Sequence, residues 1–279
     1  IIDQGKPLND EIIVKEVNGK LSAKVHDLEF TFDLKSGVLL ETKSATEVIS
    51  FNGGPIPVGI EENTITKVSW AMDADKSLLI EGKYDKFPKY FIWRLHPSGV
   101  LEFEAAPNLI SVKNIDYLGV SFNYPENKVK SMQWLGKGPY RVWKNRIHGT
   151  NFGVWEKEYN NTITGESYNK LIYPEFKGYH ANVNWARFET TEKSFTVLIE
   201  TPNLYMQVFT PGTPQVVRGG VMPPFPEGDI SFLYEIPAIG TKFKQSTEFG
   251  PTSQKGIDRH HRGDDNDPIR LWFDFRTIN

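Results

Sequence analysis

The chain has 279 residues and a mass of 31.8 kDa, with 39% hydrophobic and 24% charged residues, so it carries enough apolar sequence for a packed core. A net charge of −3 and a pI of about 6.1 argue against an electrostatic nucleic-acid binder, and no apolar run approaches the roughly 20 residues that span a bilayer. The absence of cysteine excludes disulfides, thiolate zinc sites and cysteine nucleophiles.

Short runs of alternating apolar and polar residues predict β-strands along the whole chain, with turn sequences such as Asn18-Gly19 and Ser98-Gly99 between them. The predicted strands cover residues 11–17, 20–26, 28–34, 64–72, 77–84, 89–96, 100–105, 114–125, 132–135, 181–188, 194–200, 205–209, 229–237 and 269–276. Many short strands without a linker-like stretch predict one large all-β antiparallel sandwich.

Two segments interrupt this rhythm. Residues 134–185 contain four of the seven tryptophans: Trp134 and Trp185 stand at strand positions and are predicted to lie in the core, whereas Trp143 and Trp155 stand in loop-like sequence. Residues 211–228 are rich in proline, which cannot donate to a β-ladder, so they predict a surface excursion or an edge.

The most informative string is Trp134-Leu135-Gly136-Lys137-Gly138-Pro139. It predicts a strand that ends at the tryptophan, followed by a tight turn that the two glycines permit. Arg146 follows some residues later. The string Pro174-Glu175-Phe176-Lys177-Gly178 begins about 35 residues after Pro139.

This order of motifs resembles the C-terminal domain of the family 2 glycoside hydrolase β-galactosidases, often called the small-chain domain, most densely over residues 115–200. The resemblance implies a large antiparallel β-supersandwich similar to galactose mutarotase. It also implies that residues 1–279 are a single C-terminal domain of a longer glycosidase, as the missing initial methionine suggests. Both catalytic carboxylates would belong to a preceding barrel domain, so this domain alone is expected to be inactive.

Two departures from the family pattern stand out. Asn145 occupies the position where the family has an aspartate before the arginine. Near the C-terminus the family has a Gly-Asp-Asp segment and then a tryptophan that stacks on the sugar. Here residues 263–265 match that segment, but Asp267 stands where the tryptophan would fall, so the parent enzyme is expected to act on a different glycoside.

We expect carbohydrate to contact the domain at a rim formed by residues 138–160 and 256–268. The candidate residues offer ring faces or polar groups to a sugar: Tyr140, Trp143, Arg146, Trp155, Glu175, His180 and Asp267. The expected partners are this carbohydrate and the catalytic barrel of the same chain, not nucleic acid or membrane. No cofactor is expected, although Asp264, Asp265 and Asp267 form a weak candidate for a divalent-cation site.

Alternatives remain open at this stage. Glu175 and His180 are the general base and acid of a mutarotase-like aldose epimerase if both face one sugar. A second alternative is that the chain is a stand-alone carbohydrate-binding module. Glu175 would have a structural role if it pairs with Arg146. The sequence determines neither the sugar nor the oligomeric state, and it leaves periplasm and cytoplasm open.

Overall fold

The computed structural model describes residues 11–107, 114–161, 163, 172–212, 223–241, 243–257 and 267–276. In these residues nearly all regular secondary structure is β-strand, and the helices are short 3-10 helices at Glu126–Lys128, Ser246–Glu248 and Pro251–Ser253. This confirms the prediction of an all-β fold. Across the described ranges, none of the helices is long and apolar enough to cross a membrane.

The described residues form nineteen strands. In chain order they are β1 (Ile13–Val17), β2 (Lys20–Val25), β3 (Leu28–Asp33), β4 (Leu39–Lys43), β5 (Val48–Ile49), β6 (Asn52–Val58), β7 (Ile65–Met72), β8 (Leu78–Tyr84), β9 (Tyr90–Leu95), β10 (Leu101–Ala106), β11 (Leu118–Asn123), β12 (Val129–Gly138), β13 (Asn151–Glu158), β14 (Gly178–Ala181), β15 (Trp185–Thr190), β16 (Phe195–Ile199), β17 (Tyr205–Val208), β18 (Ile230–Glu235) and β19 (Ile269–Asp274).

The strands build two antiparallel sheets, as the supersandwich prediction requires. The first sheet has the spatial order β1-β2-β3-β4-β6-β11-β18-β17-β14, with β5 paired to β4. The second has the order β13-β12-β15-β16-β19-β10-β9-β8-β7. Thus β14 ends the first sheet and β13 ends the second, and β12 contacts β14 where the two sheets meet.

The main core lies between the sheets and is built by period-two alternation. In β3, for example, Leu28, Phe30 and Phe32 are fully buried while the residues between them are partly exposed. The interior is dense in aromatic rings: the Trp93 ring lies 4.7 Å from Phe103 and 5.8 Å from Phe32, centroid to centroid. Burying each such side chain stabilises the fold by roughly 1.5–3 kcal/mol.

A second, smaller core covers the outer side of the first sheet. It contains Trp143, Tyr179, Tyr205 and Leu233, and the Tyr179 ring stacks on Phe225 at 4.9 Å. Strands β14, β17 and β18 are therefore buried on both faces throughout their length. Such strands read as continuous runs without alternation.

The predicted strand over residues 181–188 is two strands in the structure. β14 ends at Ala181 in the first sheet and β15 begins at Trp185 in the second, with Asn182 between them at a φ of 52°. A left-handed asparagine lets the chain turn from one sheet to the other. Because Ala186 faces the core, its neighbour Trp185 is partly exposed on the outer face, and the prediction that Trp185 is a core residue is wrong. Trp134 is fully buried, as predicted.

The predicted glycine turn after Trp134 is also wrong. β12 continues through Gly136 to Gly138, and neither glycine has a positive φ. Both are needed because other groups approach closely: a Cβ on Gly138 would lie 2.6 Å from Cδ1 of Trp155 and 2.8 Å from Cζ2 of Trp134. Gly138 thus makes room for two indole rings, and Gly136 for the backbone of residues 181–183, whose nearest atoms would lie 3.0–3.1 Å from a Cβ there.

Replacing Gly138 by alanine should destabilise the protein by about 1–3 kcal/mol, because the added methyl overpacks against both rings. Urea unfolding followed by tryptophan fluorescence measures this change. Gly149→Ala is the control, since a Cβ there meets nothing within 4 Å, and its stability should stay within about 0.5 kcal/mol of wild type. Equal stabilities for the two variants would contradict the proposed packing role.

Candidate functional site

The informative motif lies at the corner where the end strands of the two sheets meet. Trp134 on β12 stands directly opposite Trp155 on β13. The Trp155 ring packs against the core, and its Nε1 donates to the carbonyl of Gly136 at 3.2 Å. Trp155 therefore lies on a strand, not in a loop as its polar neighbours suggested. The corner is built around these two rings.

Lys157 lies two residues beyond Trp155, so the same strand face directs it inward, and it is buried. Its Nζ lies 4.9 Å from the Trp134 ring centroid and 5.6 Å from that of Phe176. It also donates to the main-chain carbonyl of Glu175 and lies 2.8 Å from Nε2 of His180. The ammonium thus joins the last strand of one sheet to the last strand of the other.

Burial determines the protonation of this pair. It lowers the pKa of Lys157 to about 7, with the charge of Glu175 opposing the shift and that of Arg141 adding to it. Burial, followed by the charge of Lys157, lowers the pKa of His180 well below its usual range. His180 is therefore neutral, and we assign its Nε2 as the acceptor from Lys157 because of their separation. Its Nδ1 has no hydrogen-bond partner among the described residues.

Glu175 makes an ion pair, but not with Arg146. Its Oε1 lies 3.5 Å from Nε of Arg141, and both side chains are about nine-tenths buried. Burial lowers the pKa of Arg141, and the Glu175 charge opposes that shift. The proposed pairing with Arg146 is wrong because the exposed Arg146 guanidinium donates instead to the carbonyl of Gly240 at 3.1 Å. Oε2 of Glu175 has no partner within the described part of the chain.

Residues 174–177 are held against β13 by further polar contacts. Nδ2 of Asn160 donates to the carbonyl of Pro174 at 3.0 Å, and Nζ of Lys177 donates to Oδ1 of Asn161 at 2.6 Å. Lys177 also lies 2.5 Å from a carboxylate oxygen of Glu126. The backbone that follows Tyr173 is therefore fixed from several sides.

Two exposed tyrosines lie next to these fixed residues. Tyr140 is 47% exposed and Tyr173 is 52% exposed, and their rings meet edge to face at a centroid distance of 6.3 Å. Tyr140 directly precedes Arg141, and Tyr173 stands two residues before Glu175, the partner of Arg141 in the buried ion pair. The corner thus presents an ordered aromatic pair to solvent. Sequence reasoning proposed Tyr140 but missed Tyr173, although the Tyr-Pro-Glu string contains it.

The remaining candidate residues lie in three different surroundings. Trp143 is only 5% exposed and packs edge to face on Tyr179 and Phe225, so its ring faces the second core. His180 is fully buried against Trp134. Asp267 is exposed, and its main-chain carbonyl accepts a hydrogen bond from the hydroxyl of Tyr234 at 2.8 Å.

Asn145 has a structural reason to differ from aspartate. Its amide group donates to the carbonyl of Ile239 at 3.0 Å and to Oγ of Ser253 at 3.1 Å, while its Oδ1 accepts from the Ile239 amide at 3.0 Å. An ionised aspartate accepts but cannot donate. Beside it, buried Lys144 pairs with buried Glu235 at 3.0 Å, so residues 144–146 fasten the segment around residue 239.

Residues 258–266 of the predicted rim lie outside the described residues. They include Asp264 and Asp265, so the possible cation site stays a prediction. Elsewhere in the described ranges, no group of three or more histidine, aspartate or glutamate side chains is placed to hold a metal ion.

The family model described as β-galactosidase small chain matches residues 56–210, more than half of the chain. A search of curated proteins found no match. Among solved structures, an α-N-acetylgalactosaminidase from Bifidobacterium bifidum in complex with GalNAc aligns with 91% of this chain at 9% identity and a TM-score of 0.46. The chain spans 35% of that protein's length.

Lys157 makes stability depend on pH in a defined window. Between its folded pKa of about 7 and the ordinary lysine value of 10.5, only the unfolded chain retains the proton. The free energy of unfolding should therefore rise from pH 7 to about 9.5, by up to about 1.4 kcal/mol per pH unit. Urea titrations at a series of pH values measure this slope. Staying below pH 9.5 avoids the tyrosines, whose raised pKa values act in the opposite direction.

Lys157→Met should remove most of this rise of the unfolding free energy with pH, because the variant has no titrating group between Trp134 and His180. Lys67→Met is the matched control on the exposed strand β7 and should keep the wild-type slope. The same slope in Lys157→Met and wild type would show that the buried ammonium is not its source.

Proposed function

Because this chain belongs to the β-galactosidase small chain family, we propose that residues 1–279 are the non-catalytic C-terminal domain of a retaining, β-galactosidase-like glycoside hydrolase. The nucleophile and the acid/base carboxyl group of such an enzyme would lie on a separate barrel domain of the parent chain. This domain would support the barrel and bring carbohydrate-contacting side chains to the rim of its pocket.

The enclosure of the titratable cluster is the observation that carries the accessory role. A general acid or base must come within hydrogen-bond distance of the atom that it serves. His180 exposes none of its surface and Glu175 about 9%, and the charged groups beside them are also buried. This arrangement speaks against aldose epimerisation by Glu175 and His180. It supports a structural role in which the cluster fixes the surface above it.

For the carbohydrate contact we propose Tyr140 and Tyr173, with Arg146 and Asp267 as exposed polar groups of the rim. Aromatic rings offer apolar faces to a sugar ring, and the tyrosine hydroxyls offer hydrogen bonds. Trp143, Trp155, Glu175 and His180 would act beneath the surface, holding its backbone in place. Such preorganisation lowers the entropy that binding must otherwise overcome.

The purified chain should fold and yet fail to hydrolyse a nitrophenyl β-galactoside, because its catalytic pair would reside elsewhere. Circular dichroism checks the fold, and release of nitrophenol checks the activity. Turnover above the buffer rate that Glu175→Gln abolishes would contradict the accessory role and place catalysis in the buried cluster.

Galactosides should bind the isolated chain with saturable heat in isothermal titration. The double variant Tyr140→Ala/Tyr173→Ala should weaken this binding at least fivefold, because each ring contact contributes roughly 0.5–1.5 kcal/mol. Phe243→Ala, which alters an 85% exposed ring in another segment, is the control and should bind as wild type does. Unchanged binding in the double variant would remove the tyrosine pair from the proposed rim.

A further inference from the structure

The outer face of the second sheet carries an ordered row of apolar side chains, one from each of five neighbouring strands. Successive members stand directly opposite one another in the strand register. We refer to this row as the ridge; it consists of Val154, Leu135, Trp185, Leu198 and Trp272. With about 4.8 Å between neighbouring strands, the ridge is roughly 19 Å long.

The ridge is accessible from solvent. Val154 is 60% exposed and the other four members are partly exposed, because the alternate residues of the same strands face the core. The row therefore runs across the strands as a narrow strip, which is wider only at its β13 end, where Phe152 is 61% exposed two residues from Val154 on the same face. None of the five members of the ridge belongs to the main core.

Polar side chains flank the ridge on both sides. On one side, Gln133, Arg187 and Thr196 follow the same register across β12, β15 and β16. On the other side lie Glu200 and Arg270, whose backbones are hydrogen-bonded at 3.0 Å.

Both arginines of these flanks are paired. Arg187 pairs with Glu189 at 2.6 Å, and Arg270 pairs with Glu104 at 2.8 Å. With Glu200, the flanks therefore offer two guanidinium and three carboxylate groups beside an amide and a hydroxyl, and they have no excess of positive charge.

The ring at one end of the ridge is held in a fixed orientation. Nε1 of Trp272 donates to a carboxylate oxygen of Glu200 at 2.9 Å, and His96 stacks on the indole at a centroid distance of 5.2 Å. His96 in turn contacts Glu102 at 2.8 Å. A preoriented ring loses little conformational entropy when a ligand packs against it.

The chemistry of this surface selects one class of ligand. A stable protein interface has a broad apolar centre, whereas this strip is one residue wide on four of its five strands. A phosphate-bearing ligand requires an excess of basic groups, whereas these flanks have none. A sugar chain has apolar ring faces and hydroxyl groups along its edges, which match an apolar strip between two polar rows. Trp185 and Trp272 stand two strands apart, about 10 Å, a spacing comparable to a disaccharide.

We propose that the ridge binds an extended neutral oligosaccharide that lies across the strands, with one sugar ring on Trp185 and another on Trp272. This surface is distinct from the pair Tyr140 and Tyr173. The inference does not depend on the accessory role in a glycosidase.

The test titrates the chain with neutral galacto- and gluco-oligosaccharides of one to four units, followed by tryptophan fluorescence and calorimetry. Affinity for at least one series should rise tenfold or more from the monosaccharide to the tetrasaccharide. Trp185→Ala and Trp272→Ala should each weaken tetrasaccharide binding at least tenfold. Trp70→Ala, which alters a 37% exposed tryptophan on β7, is the matched control and should leave binding unchanged.

The double variant Tyr140→Ala/Tyr173→Ala separates this inference from the proposed rim, because it should leave length-dependent binding intact. Thermal unfolding checks each variant. If Trp272→Ala unfolds through loss of its contacts with Glu200 and His96, then Trp185→Ala decides the outcome. Absence of saturable binding, equal affinity for one and four units, or wild-type binding by Trp185→Ala would overturn the proposal. So would a concentration-dependent dimer that Trp185→Ala dissolves, since the ridge would then be a protein contact.

Discussion

The side chain of Lys157, buried between two sheets, holds the informative corner of this protein together. Taking its amino group out of water costs free energy whether or not it is protonated, and hydrogen-bond partners offset that cost. Lys157 has a carbonyl, an imidazole nitrogen and two aromatic faces as partners. They come from β12, β14 and the segment before β14. The strands must therefore keep this arrangement, and the position of the exposed tyrosines depends on it.

The tryptophan–glycine motif is a second consequence of the same packing. Two indole rings opposite one another need space on the strand that carries Trp134, and Gly138 provides it by lacking a side chain. Gly136 leaves room for the backbone that connects β14 to β15. The motif that identifies the family in sequence therefore specifies how a corner packs. Its chemical importance is indirect, since the packed corner fixes the residues that face solvent.

Period-two alternation predicted most strands, because one face of each is buried and the other is not. Three of the missed strands lack this signal for identifiable reasons. β6 contains the sequence Asn-Gly-Gly-Pro, which is typical of turns, and β14 is buried on both faces. β13 is an edge strand with charged residues on its exposed face. Its polar composition made Trp155 look like a loop residue.

Only part of the candidate functional site could be predicted from the sequence, for related reasons. A lysine near the end of a polar strand is normally exposed, so nothing in the sequence indicated that Lys157 is buried. Whether a strand tryptophan faces the core or solvent depends on which of the two alternating sets of residues is buried, and in β15 Ala186 faces the core while Trp185 faces outward. The tyrosine pair combines residues more than thirty positions apart. Local sequence shows that aromatic residues are present, but only the paired strands show which of them meet.

The two departures from the family pattern have different meanings in the folded chain. Asn145 serves the fold: its amide both donates to and accepts from Ile239, a combination that an ionised aspartate cannot provide. Asp267 is an exposed residue whose backbone is fixed by Tyr234, so its side chain is free to vary without disturbing the core. The first departure is therefore explained by hydrogen bonding within the fold, whereas the second lies at a position where the fold does not require a particular side chain.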